Sequence, residues 1–127
     1  MLWRNQIGPL LDAGLRVIAP DLRGFGEAPK PSAVEAYRLP VIASDVIGIL
    51  DVLGVKQARI VGHDWGAALT WYLALTRPDR VERVVALSVG ANGNSGAASL
   101  AQREKSWYFL FFQFDGIAET TLMRNDR

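Results

Sequence analysis

Apolar positions along the chain switch between two spacings. At the start, Leu2, Trp3, Ile7, Leu10 and Leu11 share one face of a helix, and Gly14 follows as a stop. The short apolar run at 15–20 (LRVIAP), closed by proline, predicts a strand. Residues 21–37 (DLRGFGEAPKPSAVEAY) are broken by glycine and proline and read as a long loop. Helical spacing returns over 39–54 through Val41, Ile42, Val46, Ile49, Leu50 and Leu53. Pro40 suits its first turn and Gly54 its end. ARIVG at 58–62 predicts a strand, AALTWYLALTRP at 67–78 a helix stopped by Pro78, and VERVVALSV at 81–89 a valine-rich strand. GANGNSGAAS at 90–99 changes composition and reads as a loop. LAQREKSWYFLFFQF at 100–114 is helix-like and strongly aromatic, and the polar residues 115–127 predict a fraying tail.

Alternation of strands and helices implies a parallel sheet with helices on its faces. The strands are continuous apolar runs, as expected where both faces are covered. Three strands fall below the usual four to six or so, which suggests an incomplete domain. With 127 residues, half of them hydrophobic and 21% charged, the chain has a globular balance. Its formal net charge of +1 gives no electrostatic case for nucleic acid or an anionic membrane. There is no cysteine, hence no disulfide or thiolate metal site. No stretch has the length of a signal-peptide core or a membrane span, so a cytoplasmic protein is expected. No metal-ligand cluster or phosphate loop is present, so neither metal nor cofactor is expected.

The chemistry concentrates at residues 59–69, RIVGHDWGAAL. Gly62-His63-Asp64-Trp65-Gly66 lies where the 58–62 strand meets the next helix. It has the form of a nucleophile elbow with aspartate in the serine position. Side chains at the flanking glycines would collide with the strand and helix, and the sharp turn presents the central residue above the sheet. An aspartate is ionised near neutral pH and can displace directly at a saturated carbon bearing a leaving group. The resulting ester must then be hydrolysed, which needs a histidine base and an oxyanion hole. The backbone N–H of Trp65 is the natural oxyanion donor. His63 adjoins the nucleophile, so a supporting role suits it better than that of the base. The alternative is that Asp64 simply caps the helix.

Together with PDLRGFGEAPKP at 20–31, this elbow makes the chain resemble the α/β-hydrolase superfamily, and within it the epoxide hydrolases and their haloalkane dehalogenase relatives. The resemblance covers nearly the whole chain. It implies a partial α/β-hydrolase fold: a core over residues 1–90, then a linker and the beginning of a helical cap over 91–127. SWYFLFFQFDGIAE at 106–119 is similar to the opening of the epoxide hydrolase cap. By that resemblance Tyr108 is one of two cap tyrosines that hold and protonate the epoxide oxygen. A phenol with pKa near 10 can do both. The alternative is that Tyr108 belongs to an aromatic packing face with Trp107, Phe111 and Phe112. Phe25 and Trp107 are expected to line the pocket, and Asp21 and Arg23 to brace their loop.

Departures from the family pattern bear on the reading. Ala28 replaces a common serine, Asp115 a common proline, and SVGANGNSG lacks the proline-rich sequence often found after this strand. The upstream His-Gly loop, the second cap tyrosine, the acid and the base histidine of the family have no counterpart here. The single histidine is His63. The resemblance therefore implies a middle portion of an epoxide-hydrolase-like parent acting on a small apolar epoxide or haloalkane. Three alternatives remain: a haloalkane dehalogenase, a non-catalytic binder of a small ligand, and an inactive remnant.

Overall fold

A computed structural model of the chain describes residues 2–91 and 104–124. These divide into two compact units, 1–89 and 90–127. The first begins with helix α1 (Arg4–Asp12), which ends at Gly14 with φ +75°. Helix α2 (Leu39–Val52) starts with proline in its first turn and is followed by Gly54 at φ +67°. Strand β1 (Ala58–His63) leads to helix α3 (Trp65–Thr76) and then to strand β2 (Val81–Leu87). The two strands pair in parallel, so β1–α3–β2 is one crossover unit.

The register shifts between Ala58 and Arg59, so that Arg59 faces Arg83 while Ala58 faces Val81. The extra residue is Glu82. Because of it Val81 and Val84 both turn inward, while Glu82 stays exposed and accepts hydrogen bonds from Arg59 at 3.0 and 3.1 Å. Helix α3 packs on both strands and α2 packs on α3. Ala43, Leu69 and Leu73 form the core, joined by Ile60 of β1 and Val81 of β2. On the opposite side of the sheet Val61, Val85 and Leu87 are exposed.

Three sequence expectations are corrected. Residues 15–20 adopt no strand among the described residues, because the sheet there has two strands and 15–20 has no ladder to join. The loop at 21–37 contains a 3₁₀ turn, Val34–Tyr37. In the second unit, α4 (Trp107–Phe111) is followed by α5 (Ile117–Met123) where a fraying tail was expected. Gly116, at φ +76°, caps the start of this last helix, and its carbonyl accepts from the Thr120 N–H and hydroxyl.

Candidate active site

Strand β1 delivers the chain to Asp64 and α3 takes it away. Between them Asp64 adopts φ +55°, ψ −119°, a conformation L-residues seldom occupy. Three backbone bonds hold it there. Its N–H donates to Leu87 O of β2 at 3.2 Å, and its carbonyl accepts from Ala67 N–H at 2.9 Å and Ala68 N–H at 3.1 Å. The sheet fixes one side of the peptide and the first turn of α3 the other. The Asp64 side chain is exposed and makes no capping hydrogen bond to the helix. The helix-cap alternative therefore lacks the contact it requires.

Gly62 is buried against this first turn. A Cβ there would lie 2.1 Å from Gly66 O and 2.4 Å from the Thr70 hydroxyl. Gly66 is different: a Cβ would meet nothing within 4 Å, so the collision expected at both flanking glycines occurs at Gly62 alone. The Thr70 hydroxyl donates to Gly66 O at 2.8 Å, which satisfies a nearly fully buried polar group directly behind the elbow. Thr70 was not singled out from sequence, although a threonine four residues after a helical carbonyl can bond back to it.

The other expected residues fall as follows. His63 is exposed at the end of β1, in register with Leu87. Trp65 opens α3 and is exposed. Phe25 and Trp107 are both largely exposed. One open depression in the first unit is lined by Leu22, Arg23, Pro29, Lys30, Asp45 and Ile49 among others, and a second by Leu50, Val55, Lys56, Asp79 and Arg80 among others. Asp64 and Phe25 line neither.

In the second unit the Tyr108 ring stacks on Phe109 at 4.7 Å between centroids and meets Phe112 edge-on at 6.1 Å. Trp107 instead meets Phe111 at 5.8 Å. Phe111 and Phe112 meet each other at 5.7 Å, so the aromatic face expected around Tyr108 forms one continuous set with Trp107, Phe111 and Phe112. No group of three or more His, Cys, Asp or Glu side chains among the described residues could hold a metal ion.

The loop before α2 is braced as expected. Arg23 donates to both carboxylate oxygens of Asp45 at 2.6 Å and to Ala36 O at 2.9 Å. The hydrogen bond to Asp45 is the main cause that holds the guanidinium pKa above its ordinary value. Asp21 accepts from Glu27 N–H at 3.3 Å and fills the space beside Gly26, where a Cβ would lie 1.9 Å from its carboxylate. Gly26, at φ +50°, is the residue this loop demands.

A parallel strand that runs through a strained, exposed aspartate into a helix defines a hydrolase-type α/β scaffold. The comparisons agree. The family described as alpha/beta hydrolase fold matches residues 1–122, and the chain belongs to it. Over 98% of its length it is 39% identical to the AB hydrolase superfamily protein YfhM of Bacillus subtilis. Over 94% it is 43% identical to Epoxide hydrolase A of Mycobacterium tuberculosis. The crystal structure of Epoxide Hydrolase A from Mycobacterium thermoresistibile superposes on 98% of the chain with a TM-score of 0.83 and 39% identity. The chain spans 44%, 39% and 41% of these three proteins respectively. No helix among the described residues is long and apolar enough to cross a membrane.

Proposed function

We propose that this chain is the nucleophile-bearing portion of a cytoplasmic enzyme that hydrolyses epoxides to vicinal diols through an aspartyl ester. The observation that carries the reading is Asp64: a strained, exposed carboxylate at a strand-to-helix corner, with no capping bond to its helix. The likeness to proteins named epoxide hydrolases, at 39–43% identity, points that carboxylate at an epoxide.

In the proposed reaction an Asp64 carboxylate oxygen attacks one epoxide carbon. The C–O bond breaks and its electron pair stays on the oxygen, which takes a proton from the Tyr108 hydroxyl. A water, deprotonated by a histidine outside these 127 residues, then attacks the ester carbonyl, and the Trp65 N–H stabilises the oxyanion. Collapse expels the second oxygen of the diol as an alkoxide, which takes the histidine's proton, and the new carboxyl returns its proton to the Tyr108 phenolate, so that both side chains are restored. His63 supports the elbow, and Phe25 and Trp107 supply apolar surface to the substrate. Residues 91–127 are the linker and the beginning of the cap.

The test places this sequence in a polypeptide of its relatives' length and assays a panel of epoxides. Asp64→Ala abolishes diol formation, and Tyr108→Phe lowers it about 10²- to 10⁴-fold, the usual range for one general acid. Diol formation that survives Asp64→Ala overturns the reading. Halide release from haloalkanes without diol formation would reassign the chain to dehalogenation.

A further inference from the structure

The end of β2 is tied down from two directions. Leu87 O accepts the Asp64 N–H at 3.2 Å. Two residues later, Val89 O accepts the indole Nε1–H of Trp71 at 2.9 Å, across eighteen positions of sequence. Between them Ser88 sits at φ +71°, a left-handed conformation that an L-residue keeps only when its surroundings impose it. The three residues 87–89 are thus fastened to the elbow at one end and to the elbow's own helix at the other. The result is a closed circuit: Asp64 to α3, α3 through Trp71 to Val89, and Val89 through Leu87 back to Asp64. Val89 is also the last residue of the first unit, so the clamp lies where the chain leaves it.

We propose that Trp71 is a positioning residue for the elbow. By holding Val89 it keeps Leu87 O on the Asp64 amide, and it shields that bond from movement of the chain that follows. A half-buried indole needs an acceptor in any case, so the bland role is that Val89 only satisfies the N–H. The two roles differ in what happens at Asp64 when the N–H is lost. The structural part of the proposal stands on the bonds alone, and its catalytic consequence rests on the reading of Asp64 as nucleophile.

The test compares wild type with Trp71→Phe, which keeps an aromatic ring and removes the donor. Hydrogen exchange is read at the Asp64 amide and at the Ala58 amide, which is bonded to Arg80 O at the far end of β1. The expected result is exchange at Asp64 faster by about fivefold, the equivalent of one lost hydrogen bond, with Ala58 unchanged. Alkylation of Asp64 by styrene oxide, followed by intact mass, slows by a similar factor at saturating epoxide, with the half-saturating concentration unchanged. Unchanged exchange at Asp64, or an equal rise at Ala58, overturns the proposal. If Trp71→Phe does not fold, benzothienylalanine at position 71 keeps the shape of the indole without its N–H and is judged by the same two amides. Failure of the wild-type chain to be alkylated counts against the nucleophile reading and leaves the exchange result to decide the role of Trp71.

Discussion

At Asp64 a negatively charged residue occupies a conformation that costs an L-amino acid about 1–3 kcal/mol. The bonds to Leu87, Ala67 and Ala68 hold it there. Comparing two neutral replacements isolates that cost. Asp64→Gly is expected to be more stable than Asp64→Ala by about 1 kcal/mol in urea unfolding, since only glycine is free of the steric penalty, less its larger unfolded-state entropy. Equal midpoints would mean that the corner is relaxed. At Gly62 the expectation is opposite in sign. Gly62→Ala drives a methyl group into Gly66 O and Thr70, and should cost about 3 kcal/mol or more by the same measurement. Wild-type stability in this variant would contradict the described packing. The G-x-D-x-G spacing made the corner and its carboxylate legible, and the need for Gly62 with them. The roles of Trp71 and Ser88 were not legible. An aromatic residue inside an apolar helix carries no mark of where its N–H will point, and a serine after a strand does not announce a positive φ.

Helix ends were the most legible elements, because the signals that stop them are local: Gly14, Pro40, Gly54 and Pro78 act through their own backbones. The missing strand at 15–20 shows the opposite case. A strand is a property of a pair, and apolar content cannot supply a neighbour. The shift beside Glu82 was likewise hidden, since it depends on which residue of β1 faces β2. That shift sets up a pH dependence. The Glu82 carboxyl is held below its ordinary pKa chiefly by the hydrogen bond from Arg59, and Asp79 chiefly by that from Arg77. A carboxyl whose pKa is lower in the folded state stabilises the fold above its unfolded pKa and loses that contribution as the pH falls through the folded value. The contribution is therefore complete at neutral pH and lost at roughly pH 4 and below. Urea midpoints measured from pH 7 to pH 3 should fall less steeply for Glu82→Gln than for wild type. Because the pair is exposed, the difference should shrink in 1 M salt. Parallel curves would remove the pair from the account.

The 127 residues span 39–44% of the relatives described above, and their one histidine adjoins the candidate nucleophile. On the proposed reading, a chain with this inventory can form an ester but lacks a second histidine to cleave it. Incubated with a terminal epoxide, it should gain at most one equivalent of mass, on Asp64, and release no diol beyond that equivalent. Multiple turnovers would show that His63 or another group serves as the base. The fold class was legible at this scale because the order of strands and helices fixes the parallel arrangement. Which surfaces would be covered was not: Val61 and Val85 look like core residues by composition and lie exposed on the sheet.

The bond from Asp64 N–H to Leu87 O also orders events in time. Its two ends are separated by α3 and the length of β2, so the strained corner cannot be locked before Leu87 has been made. The acceptor exists only after the crossover has closed and β2 has docked beside β1, a non-local step that follows helix formation. A nascent or partly folded chain thus carries an ordinary, relaxed aspartate at this position. On the proposed reading of Asp64 as the nucleophile, the carboxylate takes its reactive shape only once there is a fold to direct it.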